Sequence, residues 1–171
     1  MELRAFIASR REKDYQIEYV PNQQRWDENF VGEDNPIRIE ENWSEEIKYL
    51  DGGRLSKKIE GLPTDVGGIY MFYLKGNNLP FAEHYILYIG RAQLTQTENI
   101  NRRARHYIHD DRELIKLMFD LWDEQLYYRY YPDIDNNAIN RNEVCLIRAI
   151  VPPFNTTIPN KIKEEPEIKA F

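Results

Sequence analysis

The sequence predicts an α+β fold in which helices flank a small, mainly antiparallel, three-stranded sheet, with an N-terminal extension before it. Two kinds of pattern lead to this prediction: short runs rich in β-branched and aromatic residues, and longer stretches with apolar residues at helical spacing. From residue 67 onward they follow in the order strand, strand, helix, helix, strand, helix, which is typical of a sheet covered by helices. At 171 residues, 42% of them apolar, the chain is long enough for one domain with its own core.

The first 62 residues form the predicted extension and are strongly polar. Only "SEEIKYL" (44–50) has a helix signal there, with a serine as N-cap and acidic residues in the first turn. The stretch "GLPTDVGG" (61–68) contains one proline and three glycines, which interrupt any regular element. We therefore divide the chain into an extension, residues 1–62, and a main domain, residues 63–171.

Three runs predict the strands of the sheet. "GIYMFYL" (68–74) and "HYILYIG" (84–90) are β-branched and aromatic, and the polar loop between them indicates an antiparallel hairpin. "LYYRYY" (126–131) predicts a third strand, which ends at Pro132.

Three helices are predicted around these strands. The first covers "TENINRRARHYIHD" (97–110), and the second is a packing helix over residues 111–125 with apolar side chains at helical spacing. The last helix begins at about Asn140 and is stopped by Pro152 and its neighbouring proline.

Composition limits the class of protein. The single Cys145 excludes an intramolecular disulfide, and no signal segment opens the sequence, so a reducing, cytoplasmic location is expected. No apolar run has the roughly 20 residues that a membrane span needs, so no membrane partner is expected. The formal net charge of -6 argues against a protein that coats nucleic acid non-specifically. Any nucleic-acid surface must therefore be a local basic patch.

Two tyrosines next to glycines draw attention in the predicted hairpin. Alternation along a strand places Tyr70 and Phe72 on one face, and Tyr88 and Gly90 together on one face of the next strand. With a suitable register the two tyrosine hydroxyls converge. A glycine has no side chain, so a ligand or another part of the chain can approach the strand closely at that point.

The order of the polar motifs is informative as well. "GIY" and "YIG" are followed by "RRARH", then "NEVCLI" and finally "PPFN". Between about residues 67 and 155 this order resembles the GIY-YIG endonuclease superfamily. The resemblance implies an active site made of five residues: Tyr70, Tyr88, Arg102, Glu143 and Asn155.

Arg102 is chosen over the neighbouring arginines because of its spacing to His106. The helical spacing puts Arg102, Arg105 and His106 on one face. The four-residue step from Arg102 to His106 resembles the R-x-x-x-H helix of the restriction and homing members of the family.

Phosphodiester hydrolysis explains the residue types. Negative charge develops on the phosphate oxygens, and a Mg²⁺ (or Mn²⁺) held by one carboxylate can stabilise that charge. The resemblance implies that Glu143 supplies this carboxylate. An arginine fork matches two phosphate oxygens, which suits Arg102.

The remaining roles concern the attacking water. A tyrosine is a poor base at neutral pH unless a neighbour assists, so Tyr70 is assigned as general base with His106 assisting. Tyr88 is assigned as a second hydroxyl that orients water or phosphate, and Asn155 as a hydrogen-bonding support. Structural roles are the alternatives: core packing for the tyrosines, a solvated charge for Arg102, capping or packing for His106, a favourable helix-start charge for Glu143 and a turn for Asn155.

The resemblance implies a metal-dependent DNA endonuclease, most like a small type II restriction enzyme acting on double-stranded DNA. A repair or mobile-element nuclease and a non-catalytic nucleic-acid-binding module are the alternatives. Because one active site breaks one strand at a time, a homodimer on DNA is expected. The extension is the candidate region for dimerisation or DNA recognition, with Trp26 and Trp43 as candidate contacts.

Overall fold

The computed structural model describes residues 22–75 and 84–161. In these ranges the strands are β1 (Ile47–Lys48), β2 (Leu50–Asp51), β3 (Arg54–Leu55), β4 (Gly67–Leu74), β5 (Tyr85–Ala92) and β6 (Tyr127–Asp133). The α-helices are α1 (Gln23–Glu28), α2 (Lys57–Glu60), α3 (Ile100–His106), α4 (Glu113–Trp122) and α5 (Asn136–Ile150). Short 3₁₀ turns follow α3 (Tyr107–His109) and α4 (Asp123–Gln125), and two more precede β1 (Pro36–Arg38 and Glu40–Asn42).

The main sheet is antiparallel and has the strand order β1-β6-β4-β5. The predicted α+β class and the antiparallel hairpin of β4 and β5 are therefore confirmed. The expected number of three strands is corrected to four, because β1 pairs with β6 along its outer edge. A separate small sheet consists of β2 and β3.

The predicted helix over residues 44–50 is wrong. This segment forms β1 and the start of β2, and Ile47 and Tyr49 are buried while Lys48 between them is exposed. That alternation is the strand period, and the hydroxyl of Tyr49 donates to the backbone oxygen of Ala104 at 2.6 Å. Pairing with β6 and this buried hydrogen bond outweigh the local helix signal.

Other element ends differ slightly from the prediction. Helix α5 begins at Asn136 rather than near Asn140, because the side chain of Asp135 accepts a hydrogen bond from the Asn137 backbone and caps the helix. Strand β6 continues through Pro132, where it pairs with β4 alone. Helix α3 is shorter than the predicted helix and begins after the cap Asn99.

The two faces of the sheet have different cores. One face is aromatic. The ring centroid of Phe72 lies 5.0 to 5.3 Å from the ring centroids of Tyr49, Tyr107 and Tyr128. Residues of α3 and α4 pack on this face. The opposite face is aliphatic and covered by α5, with Ile69 and Ile89 of the sheet meeting Ile139 and Ile147 of the helix.

The glycine of the "YIG" motif makes room for a tyrosine. Tyr70 and Gly90 are directly opposite each other in the β4–β5 pair. A Cβ atom added at Gly90 would lie 2.5 Å from the Tyr70 hydroxyl oxygen and 2.7 Å from Cζ. Gly90 therefore allows the ring of Tyr70 to lie across β5.

The described part of the extension is built into the same fold. Tyr49, Ile59 and Leu62 belong to the aromatic core, and the indole of Trp43 donates to the Ile37 backbone oxygen at 2.7 Å. Trp43 also packs against Tyr131 with ring centroids 5.9 Å apart, so its role in the structure is internal packing. Within the described ranges, no helix is both long and apolar enough to cross a lipid bilayer.

Substitution Gly90→Ala should lower the free energy of unfolding by roughly 1–3 kcal/mol, because the new methyl group overlaps the Tyr70 ring. Urea unfolding measures this effect. In a double-mutant cycle with Tyr70→Phe, which removes the nearest atom, the combined cost should be smaller than the sum of the two single costs. A Gly90→Ala protein with wild-type stability would contradict this account of the glycine.

Candidate active site

A polar cleft of about 420 Å³ lies beside strand β5, where it meets α3, α5 and the segment after α5. Because β5 is at the edge of the sheet, side chains from both of its faces reach this cleft. Arginines and carboxylates dominate the lining, and the residues are Tyr88, Arg91, Gln93, Glu98, Arg103, Arg112, Glu143, Ile147, Asn155, Thr156, Thr157 and Pro159.

Glu143 lies in the cleft, as the sequence motif suggested for the catalytic carboxylate. It projects from α5 and forms an ion pair with Arg91 of β5, and its side chain is 14% exposed. Burial raises the pKa of Glu143, while the positive charges of Arg91 and then Arg103 act in the opposite direction. The carboxylate is therefore partly desolvated and flanked by two cations.

The two tyrosines are on the same side of the sheet and both are buried, Tyr88 with 7% exposure. Their ring centroids are 6.5 Å apart. Tyr88 lines the cleft, whereas Tyr70 is completely buried and is not part of the cleft wall. The Tyr70 hydroxyl shares a 2.6 Å hydrogen bond with the Tyr107 hydroxyl and accepts a 3.0 Å bond from Nε of Arg103. Burial strongly raises the pKa of Tyr70, which keeps its hydroxyl protonated at neutral pH.

Arg103, rather than Arg102, is the α3 arginine in the cleft. Arg102 is exposed and donates to the backbone oxygen of Thr97 at 2.6 Å. His106 is also exposed and does not line the cleft. The predicted face of basic residues is thus the solvent face of α3. The arrangement brings Tyr88, Glu143 and Asn155 to the cleft and leaves Arg102 and His106 outside it.

The geometry of α3 explains this difference. Its buried stripe consists of Ile100, Ala104 and the following Tyr107, which pack on the aromatic face of the sheet. Arg103 borders that stripe, and its guanidinium lies 5.4 Å from the ring centroid of Tyr107, one turn further on. The four-residue spacing of Arg103 and Tyr107 is the pattern in the sequence that could have indicated Arg103. The expectation for Arg102 used its equal spacing to His106 instead.

Arg112 is a second cleft residue that the sequence reasoning missed. It immediately precedes α4 and is bound to Asp110 through Nε and Nη2, at 2.9 and 2.6 Å. Its Nη1 donates to the hydroxyl of Tyr88 at 3.3 Å. The hydrogen bonds from the Arg112 side chain to the Asp110 carboxylate hold the pKa of Asp110 below its usual value. Nothing in the local pattern "HDDREL" distinguishes this arginine from a solvated surface charge.

Asn155 supports the cleft by binding the free edge of β5. Its side-chain oxygen accepts from the Ile89 backbone N–H at 3.0 Å, and its side-chain nitrogen donates to the Ile89 oxygen at 2.8 Å. The backbone N–H of Phe154 donates to the Leu87 oxygen at 3.0 Å. The segment after α5 is therefore paired with β5 and forms one wall of the cleft.

The carboxylates of the cleft are candidate ligands for a single Mg²⁺. In the part of the chain that the structure describes, no group of three or more His, Cys, Asp or Glu side chains comes together. Mg²⁺ keeps several waters and is commonly bound by one or two carboxylates, so such a group is not required. Glu143 and Glu98 both line the cleft, and Oε1 of Glu98 is buried without a hydrogen-bond partner among the described residues. Glu143, which is ion-paired with Arg91, and Glu98 are the residues that could hold a hydrated divalent cation.

Comparisons of the chain with protein-family models, with curated proteins and with solved structures found no match. The functional inference therefore depends on the residues of the cleft and on the order of the motifs in the sequence.

Replacing Asn155 with Ala should lower the free energy of unfolding by roughly 1–3 kcal/mol, because both backbone groups of Ile89 lose a partner at a partly buried edge. Urea unfolding measures the change. The matched control is Asn137→Ala, an exposed asparagine in the first turn of α5, which should remain within about 0.5 kcal/mol of wild type. Unchanged stability of Asn155→Ala would contradict the supporting role.

Proposed function

We propose that the protein is a metal-dependent endonuclease that hydrolyses phosphodiester bonds of double-stranded DNA in this cleft, with a catalytic domain of the GIY-YIG type. The observation that carries the proposal is the meeting of Tyr88, Arg103 and Glu143 in one cleft. These side chains come from β5, α3 and α5, and their order along the chain is the order of the GIY-YIG motifs.

The charge distribution supports a phosphate-containing substrate. The whole chain has a formal charge of -6, yet Arg91, Arg103 and Arg112 all line the cleft. A planar guanidinium offers two parallel N–H donors to phosphate oxygens, which makes arginine the preferred residue for such a ligand. The Nε of Arg103 is bound to Tyr70, so its terminal amino groups are the donors that can reach a phosphate. Glu98 and Glu143 also line the cleft, so the arginines are only in slight excess there, and such a site favours selective contact over general coating of DNA.

In the proposed hydrolysis, a water oxygen bonds to phosphorus and the bond from phosphorus to one sugar oxygen breaks. One water proton is transferred, in the end, to the leaving sugar oxygen, so the products are a phosphate monoester and a hydroxyl. When bound at Glu143, Mg²⁺ (or Mn²⁺) would supply stabilisation of the negative charge on the phosphate oxygens. Arg103 stabilises the same charge by hydrogen bonding.

The positions of the two tyrosines favour roles that differ from those expected from the motifs, in which Tyr70 is the general base. Tyr88 is at the cleft wall. Its hydroxyl can orient the attacking water and accept a proton from that water while it gives its own proton to another group. Tyr70 is buried beneath it and, together with Tyr107, holds Arg103 in position. We therefore assign the water-orienting role to Tyr88 and a positioning role to Tyr70, and no role in catalysis to His106.

The particular role proposed is that of a type II restriction enzyme. One chain has one such cleft and breaks one strand, so two chains on a palindromic target would break both. The exposed apolar side chains of the extension, Trp26 at 45% and Phe30 at 52% exposure, are candidate contacts for such a dimer. A repair nuclease would instead nick branched DNA, and a binding module would leave DNA intact.

Wild-type protein should convert a plasmid to discrete fragments with Mg²⁺ and leave it intact with EDTA, and Glu143→Gln should lose this activity. Glutamine has nearly the same shape but lacks the negative charge that a cation needs. DNA binding, measured by gel shift without metal, should remain, because phosphate contacts come from basic side chains.

The matched control is Glu60→Gln, which removes an exposed carboxylate at the end of α2 and should cut at the wild-type rate. Metal-dependent cleavage by Glu143→Gln at the wild-type rate would reject Glu143 as the metal ligand. Nicks confined to branched DNA would replace the restriction role with repair, and intact DNA in every reaction would reject the nuclease.

Arg103→Lys should slow single-turnover cleavage about 10²-fold or more, since lysine lacks the fork that binds both Tyr70 and phosphate. Arg102→Lys, one residue away and exposed, should remain within about twofold of wild type. Urea unfolding of both variants shows whether each is folded under the assay conditions, so that a loss of activity is not mistaken for a loss of folded protein. The opposite ranking of the two variants would restore Arg102 to the active site.

A further inference from the structure

Both the side chain and the backbone of Arg112 are hydrogen-bonded to one carboxylate, and Nε reaches both of its oxygens, at 2.9 and 3.1 Å. Its Nε donates to Oδ1 of Asp110 at 2.9 Å and its Nη2 donates to Oδ2 at 2.6 Å. The backbone N–H of Arg112 also donates to Oδ1, at 3.0 Å. Asp110 is only two residues earlier in the chain, so the side chain of Arg112 is oriented by its own loop.

This arrangement presents the remaining edge of the guanidinium to the cleft. Nη1 donates to the hydroxyl of Tyr88 at 3.3 Å, and the guanidinium carbon lies 5.7 Å from the Tyr88 ring centroid. The guanidinium groups of Arg103 and Arg112 lie 5.4 and 5.6 Å from the centroid of the same ring, that of Tyr107. Two arginine forks therefore share one aromatic neighbour at the wall of the cleft.

Stability alone does not account for this arrangement. The side chain of Arg112 is 42% exposed, and ion pairs at such exposure contribute little to folding because water screens them. Asp110 already balances part of the positive charge, since it is bound to Arg112 and also interacts electrostatically with Arg103. An arginine fixed in advance, however, loses little conformational freedom when it binds a ligand, which favours binding and catalysis.

We propose that Arg112 is a second phosphate-binding catalytic residue of the cleft, which contacts the Tyr88 hydroxyl and a non-bridging oxygen of the phosphodiester, and that Asp110 is its positioning residue. A phosphodiester has two non-bridging oxygens, and the donors available to them are the terminal amino groups of Arg103 and the Nη1 edge of Arg112. The contact with Tyr88 places the hydroxyl that orients the water next to the same phosphate. This inference rests on the proposed nuclease function.

Three variants separate the charge of Arg112 from its geometry. Arg112→Gln removes the charge, so single-turnover cleavage should fall about 10²-fold. The slope of log K for DNA binding against log salt should also become shallower by about 0.9, the loss of one phosphate contact. Arg112→Lys keeps the charge but lacks the fork, so it should keep the slope and still lose about 10²-fold in rate. Asp110→Asn leaves Arg112 charged but less fixed, so it should keep the slope and lose about tenfold in rate.

The control is Arg54→Gln, which removes an exposed arginine of β3 outside the cleft and should keep both the rate and the slope. Urea unfolding of each variant shows whether it is folded under the assay conditions. Wild-type rate and slope in Arg112→Gln would overturn the proposal, and wild-type rate in Arg112→Lys or Asp110→Asn would overturn the role of the fixed fork. If the wild-type protein neither binds nor cuts DNA, the proposed function fails and this inference fails with it. If the wild-type protein is active and Arg112→Gln is unaffected, only this inference is rejected.

Discussion

The ring of Tyr70 lies across Gly90, and the rest of the cleft depends on this contact. The pairing of these two residues fixes the register of β4 and β5, because a side chain at position 90 would occupy the space of the ring. It also directs the Tyr70 hydroxyl towards Tyr107 and Arg103. A buried hydroxyl needs hydrogen-bond partners, so α3 is held against the sheet in one orientation and Arg103 is brought to the cleft.

Each of the other two arginines of the cleft has a carboxylate partner, Arg91 with Glu143 and Arg112 with Asp110. Partly buried ion pairs of this kind add little net stability, because removing the charges from water costs about as much as their attraction returns. Their effect is geometric: each pair keeps a flexible side chain in one arrangement. The cleft therefore holds its arginines as fixed side chains, two of them ion-paired, inside a protein whose formal charge is -6.

The edge of the sheet is also part of the site. An unpaired edge strand exposes backbone groups that favour aggregation, and proteins commonly cover it. Here the segment after α5 covers β5 through Phe154 and the side chain of Asn155. The same contacts place this segment opposite Arg91 and Tyr88, so protection of the edge and construction of the cleft wall are one structural feature.

The sequence by itself determined the strands of the hairpin and the helices α3 to α5, since these follow from local periodicity. The common face of Tyr70 and Tyr88 depends on the strand register, which pairs Tyr70 with Gly90 and Phe72 with Tyr88. The order of the motifs was enough to select Tyr88, Glu143 and Asn155, which all reach the cleft. Only the tertiary structure decided which polar side chains of α3 face the cleft, because that depends on how its buried stripe meets the sheet.

The same limit applies to β1, to Tyr70 and to Arg112. Strand β1 exists because β6 provides a partner that no local signal reveals, and Tyr70 is buried because α3 and its following turn cover it. Arg112 reaches Tyr88 because Asp110 fixes it at the start of α4. Local sequence patterns specify the backbone conformation of a segment, whereas the neighbours of a polar side chain depend on contacts between segments distant in the chain.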